Sequence, residues 1–398
     1  MAIQPIVPTD VPAIGRIRQL GIILAVIGLI GGAVGVFTNK EQFLQSWLIG
    51  FLFCLAMTVG ALGLLMLQHL SGGQWGLVGR RVFEAAARTM PLLALYFIPV
   101  VLFLPTLFLW ARPDVVKGDK ILLQKAPYLN PTFFTARAIV YFGFWMVIAW
   151  LLTKWSAAQD RGTDATDAAG MVKFRTVSAP GLLFLILSIT FATTDWIMSL
   201  DPHWFSTIFG LMITAGYGLS ALAMTIAVLA VVGPAGALQG HLTPRHFHDL
   251  GKLLLAFTML WAYLSFSQFL IIWSGNLPEE IPWYIERMHG GWGIVSLALV
   301  VGHFALPFLL LLSRDLKRNA RWLARVALFI ILMRLVEIIW LVAPVFERHG
   351  FPVHWMDLAI PAGLAGVWLL MFARHLGSHA LMPLNDPYFK EAFAVDAH

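Results

Sequence analysis

The chain has 398 residues, 59% hydrophobic and only 12% charged, with 27 Lys and Arg against 21 Asp and Glu. A soluble domain carries about 25% charged residues, so this composition, with a mean hydropathy of +0.79, excludes a soluble protein and predicts an all-α integral membrane protein. The basic residues lie in short loops between apolar runs, which argues against nucleic-acid binding. The single cysteine, Cys54, excludes a disulfide framework, a thiolate zinc site or an iron–sulfur cluster held by this chain alone.

A helix that crosses a bilayer needs about 20 mostly apolar residues. Ten stretches meet that length or approach it, near 20–37, 46–67, 90–110, 133–152, 181–200, 206–232, 253–273, 289–312, 322–342 and 357–376. No long polar segment interrupts them, so residues 1–398 read as a single polytopic membrane domain. The first run has no convincing small-residue cleavage site and reads as a retained anchor. Helices 2–5 and 6–9 are expected to form two four-helix bundles, with helices 1 and 10 flanking them. The amino-terminal side, together with loops 2–3, 4–5, 6–7 and 8–9 and the tail (Arg374 included), holds 17 Lys and Arg, against 8 on the opposite side. The positive-inside rule then puts both termini in the cytoplasm.

The connections carry their own signals, taken in chain order. Residues 111–132 form the longest outer loop and are expected to offer a docking surface for another protein. Residues 153–180, with Asp160, Arg161, Asp164, Asp167 and Lys173 among alanines, suit a short amphipathic helix on the cytoplasmic face. Asp201-Pro202 has the chemistry to start helix 6, since Asp is a good N-cap and Pro suits the first helical position. In the run His246-Phe-His248-Asp249-Leu-Gly-Lys252, Asp249 is expected to cap helix 7. His246 and His248 there are weak evidence for a metal and can collect protons at the surface.

Ionisable groups within spans are costly and usually face a bundle interior or watery cavity. Asp195 lies about one turn inside the outer end of helix 5; it either ties helix 5 to a neighbour or exchanges protons, in a proton path or at a quinone pocket. Arg334 and Glu337, three apart on helix 9, share a face; they either lock helices together or form a carboxylate gated by its arginine. His303 is the only histidine clearly inside a span, too few for the axial ligand pairs of a membrane haem. His303, Tyr263, Ser265, Ser267 and Gln268 on helices 7 and 8 can extend a hydrogen-bonded chain, or each can be an ordinary interhelical contact. His203, at the water interface, is a further relay candidate.

Three stretches bring a family into view: His246–Lys252, Trp261-Ala-Tyr-Leu-Ser-Phe-Ser-Gln-Phe-Leu-Ile-Ile-Trp273 running into Asn276-Leu-Pro-Glu-Glu280, and Asp195-Trp-Ile-Met-Ser-Leu-Asp-Pro-His-Trp-Phe-Ser206. Together with the ten-span layout, they resemble the smaller of the two NrfD/PsrC-like membrane subunits of bacterial alternative complex III, the ActF type. The resemblance implies a subunit of a respiratory quinol:cytochrome c oxidoreductase in the bacterial inner membrane. Its implied partners are a larger NrfD-like subunit, an iron–sulfur subunit, haem c subunits and lipids. It implies no redox centre or metal in this chain, with quinone/quinol or lipid as the ligands to consider. A quinone would sit near Asp195 and His203. The expected role is then a proton pathway drawn from Asp195, Glu337, Arg334, His303, Tyr263, Gln268, His203, His248 and Asp249. A structural scaffold or quinone-binding subunit of the same complex is the first alternative. A stand-alone proton-coupled transporter ranks last, because no Gly/Pro-broken helices occupy obviously paired positions.

Overall fold

The computed structural model describes residues 12–162, 171–233, 242–347, 354–383 and 385–387. The structure is 86% helical, with no strand among the described residues, and the protein is an all-α multi-pass membrane protein. Among the described residues, ten helices are long and apolar enough to cross a bilayer: α1 (Pro12–Thr38), α2 (Lys40–Ser71), α3 (Gln74–Leu102), α4 (Pro131–Asp160), α5 (Val172–Leu200), α6 (Phe209–Val232), α7 (Pro244–Gly275), α8 (Gly290–Leu312), α9 (Ala320–Phe346) and α10 (Met356–Leu376). A helix satisfies its backbone groups internally, which lipid demands of any spanning segment. Side chains mark several starts: Asn39 accepts from the Gln42 amide, Asn130 from that of Phe133, and Asn319 from those of Arg321 and Trp322. Asn276, in the left-handed region at φ 46°, closes α7.

Packing follows the expected two bundles. α2 touches α3 and α5, and α4 closes that ring against α3 and α5; α6 touches α7 and α9, and α8 closes the second ring. α2 and α6 pack directly against each other and join the bundles. Their apolar windows are 89% and 83% buried, whereas that of α1 is 17% buried. The outermost helix, α1, lies antiparallel on α10, where Gly28 meets Gly363 backbone to backbone. Small residues permit such close approach, and in lipid that packing replaces a hydrophobic driving force. We call the face where α1 begins and α10 ends proximal, and the opposite face distal.

Four local expectations are corrected. α3 begins at Gln74 rather than near 90, breaks at Arg88–Thr89, and ends at Leu102. Arg80 and Arg81, expected in a loop, are buried in its first half because carboxylates meet them there. Among the described residues of 153–180 there is no separate helix: α4 runs on to Asp160 and α5 starts at Val172, while 163–170, with Asp164 and Asp167, lie outside the described residues. Asp201-Pro202 sits in a turn after a 3-10 segment (Met198–Leu200), and α6 starts only at Phe209. Asp249 does not cap α7; Thr243 does, in a capping box with His246, and Asp249 instead pairs with Lys252 at 3.0 Å. The 111–132 connection carries two short helices, Pro113–Gly118 and Lys120–Lys125.

One irregularity positions a functional group. The middle of α8 is a π-helix from Leu299 to Ala305, and His303 lies inside it. A π turn leaves a backbone carbonyl out of the i→i−4 ladder and shifts the facing of later side chains, and such turns concentrate at functional sites.

Candidate functional site: buried charges in the two bundles

In the second bundle, four helices bring polar groups to one place. Arg334 and Glu337 project from one face of α9, one turn apart. Glu337 is 2% exposed; it accepts from Trp261 Nε1 of α7 on Oε1 at 2.9 Å, and Arg334 Nη1 pairs with its Oε2. Arg334 Nε donates to Ser220 Oγ of α6 at 3.2 Å. His303 of α8 places Nδ1 3.6 Å from Glu337 Oε2, and its ring centroid lies 3.9 Å from that of Trp261. Arg334 reaches α6 because Gly216 has no side chain: a Cβ there would collide with the guanidinium.

The donor and acceptor count in this cluster does not close. Arg334 Nη2, both ring nitrogens of His303 and the Tyr217 hydroxyl are buried and have no hydrogen-bond partner among the described residues. Unsatisfied polar groups in such surroundings cost roughly 1–3 kcal/mol each. Four in one bundle interior therefore mark a place where water or a transferred proton would be held strongly. Towards the distal end of the same bundle, Gln268 accepts from Ser206 Oγ at 2.8 Å and donates to Tyr284 Oη at 3.1 Å. Burial pushes the Tyr284 phenol up to about 12, so it serves there as a hydroxyl.

The first bundle has a different arrangement. Asp195 of α5 is fully buried and receives Arg137 of α4 in a fork, Nε to Oδ2 at 2.8 Å and Nη2 to Oδ1 at 2.7 Å. Tyr141 adds a third donor at 3.1 Å. Arg137 Nη1 donates to the Tyr128 carbonyl at 2.9 Å, and its guanidinium lies 3.8 Å from the Tyr128 ring centroid. Burial, with the Asp195 charge nearby, pushes the Tyr128 phenol up to about 12. Below this site, Phe51, Phe97, Phe142, Trp145 and Trp196 pack ring against ring. That aromatic layer separates Asp195 from a proximal cluster in which Arg80 holds Glu84 at 2.9 Å and Asp386 at 2.6 Å, while Arg81 holds Glu84 at 2.7 Å and also pairs with Asp160.

The expected candidates therefore divide. Glu337, Arg334 and His303 come together, and Gln268 lies in the same bundle nearer its distal end. Asp195 belongs to the other bundle. Tyr263 lies outside both interiors, on the outward face of α7 with 67% exposure. Ser265 and Ser267 are half-buried on α7. His203 is engaged by Asp119 of the 111–132 connection at 2.5 Å, not by Asp195; this bond holds the Asp119 carboxyl below its usual range. His248 and Asp249 lie half-buried at the proximal start of α7. Residues not anticipated are Arg137, Tyr141, Trp261, Ser220 and Tyr217. Arg137 carried a visible signal, since it falls inside the expected span 133–152; Trp261 and Ser220 carried none, because tryptophan and serine are ordinary in membrane helices. No protein-family model matches the chain, and comparison with curated proteins finds no match.

Proposed function

We propose that this chain is a membrane subunit of a respiratory quinol:cytochrome c oxidoreductase complex, holding no redox centre itself and contributing a proton pathway through its second bundle. The single observation that carries the pathway is Glu337, a carboxylate buried within α9 beside an arginine, a histidine and unpaired polar atoms of α6 and α8. A carboxyl in that setting can alternate between two states, ionised when Arg334 is held against it and protonated when Arg334 moves away. The resemblance of the α7 motif and the Asp195–Ser206 motif to the ActF type supports the complex. That resemblance also supplies the partners, namely a larger NrfD-like subunit, an iron–sulfur subunit and haem c subunits, in a bacterial inner membrane.

Loop charge supports cytoplasmic termini. Three of the 17 basic residues on the proximal side, Arg80, Arg81 and Lys317, and two of the 8 on the distal side, Arg137 and Arg287, are buried; setting them aside leaves 14 against 6. The test is the Glu337→Gln variant in the complex reconstituted into vesicles, with quinol turnover and proton release followed together. Turnover should persist while protons moved per electron fall by about half or more. An unchanged ratio would sink the pathway.

A second reading, a scaffold, is favoured at Asp195. A carboxylate with both oxygens held by an arginine fork and a tyrosine is geometrically suited to fastening α4 to α5. Under that reading quinone binding near Asp195 and His203 has no geometric support, because neither group is free to take a proton from a ligand.

A further inference from the structure

We propose that the proximal cleft between α3, α4 and α10 is a binding site for the phosphodiester headgroup of an anionic phospholipid. The cleft is lined by Arg81, Glu84 and Arg88 of α3, Thr153 and Ala157 of α4, and His375 and His379 at the end of α10. Its position follows from the break in α3. Arg88 ends the first half of that helix, and Thr89 is tied to Thr58 of α2, which Trp368 of α10 also reaches. Arg88 is thereby set beside the last turn of α10, where its Nη1 donates to Ser378 Oγ at 3.1 Å.

Depth points to a lipid. Trp150 of α4 is 56% exposed, and Lys154 lies over its ring at 4.5 Å. Tryptophan–lysine pairs of this kind mark the headgroup level of a membrane. Thr153 is beside them in sequence, so the cleft opens at that level. Basic clefts between helices on the side facing the cytoplasm are a known chemistry for lipid headgroups.

The donors point to an anion. Arg81 is 4% exposed, yet its Nε has no hydrogen-bond partner among the described residues; the Nε2 of His375 is likewise buried and without one there. Both oxygens of Glu84 are engaged, Oε1 by Arg80 and Ser156 and Oε2 by Arg81. Among the residues that line the cleft, two arginines (Arg81 and Arg88) stand against one carboxylate (Glu84). One positive charge is left over, which matches the single negative charge of a phosphodiester. Burial, then Arg88 and Arg81, hold the His379 imidazole below its ordinary range, and an anion bound in the cleft would raise it again.

The experiment uses the full-length protein in a neutral detergent, with Tm followed as phosphatidylglycerol, phosphatidylcholine or inorganic phosphate is added. Phosphatidylglycerol should raise Tm saturably, with neither of the other two doing so. Arg88→Gln should raise the half-saturating phosphatidylglycerol concentration about fivefold. His379→Gln, at a half-buried site outside the spans, should weaken binding in the same direction and keeps the test decisive if the first variant folds poorly. Equal stabilisation by phosphatidylcholine would remove headgroup recognition. Equal stabilisation by inorganic phosphate would assign the cleft to a soluble anion instead. Unchanged phosphatidylglycerol binding by both variants would place the lipid elsewhere.

Discussion

Asp195 and Glu337 are both carboxylates buried inside spanning helices, yet their partners give them different chemistry. Asp195 has three protein donors converging on two oxygens, two of them from one planar guanidinium matched to the carboxylate. Removing one member of a buried ion pair leaves an uncompensated charge, which costs about 3–5 kcal/mol, whereas replacing both can be nearly neutral. Arg137→Met should therefore lower unfolding stability by about 3–5 kcal/mol, and Arg137→Met with Asp195→Leu should recover most of that loss in a double-mutant cycle. A double variant as unstable as the single would show that Asp195 is needed for more than pairing with Arg137. Glu337 shares its oxygens among Trp261, Arg334 and a histidine at 3.6 Å, and its neighbours keep unpaired atoms. That inequality makes Glu337 the group with room to change state.

At the scale of elements, regular helices set the spans and their irregularities place the chemistry. The π segment Leu299–Ala305 carries His303, and the break at Arg88–Thr89 brings α3 back over the proximal end of α10. On the distal face, Lys120–Lys125 is held down at two points: Asp119 caps it and binds His203, and Lys125 donates to the Pro202 carbonyl at 2.6 Å. The folded pKa of Asp119 is depressed, first by the His203 hydrogen bond. Its contribution is therefore present above the unfolded carboxyl value of about 3.9 and disappears as pH falls through the lower folded value. Hydrogen exchange of residues 119–125 should stay protected down to about pH 4 and accelerate below it. His203→Gln should move that midpoint upward, towards the unfolded value. Protection with the same pH profile in both proteins would separate the His203 contact from the order of this segment.

Across the whole molecule, α2 and α6 are the pair about which the two bundles assemble. Gly60 of α2 rests on the Tyr217 carbonyl of α6 so closely that a Cβ would strike the backbone, whereas a Cβ on Gly143 of α4 would meet nothing within 4 Å. Gly60→Ala should destabilise the protein by about 1–3 kcal/mol, because packed helices would have to move apart. Gly143→Ala should be neutral or stabilising by up to about 1 kcal/mol, since alanine has the better helix propensity. Unfolding of the two variants in the same detergent separates these outcomes; equal stabilities would mean that the α2–α6 contact yields without cost. The same contact places Tyr217 on the α6 face next to Ser220 and Arg334, so the bundle interface and the second polar cluster share a helix.

Ten spans, the all-α class and the pairing of Arg334 with Glu337 were legible in the chain itself, because lipid demands long apolar helices and because residues three apart share a helical face. Local chemistry was less reliable where two readings of one residue competed. Asp201-Pro202 and Asp249 both look like helix starts, yet the turn at 201–204 and the Thr243–His246 box supplied the actual boundaries. Only the tertiary structure decided that Asp195 belongs to Arg137, that His303 and Trp261 reach Glu337, and that Arg80 and Arg81 are interior residues. The reason is physical: a polar side chain in a membrane must find its partner across a helix interface. Sequence periodicity specifies which face a residue occupies, but not which helix that face will meet.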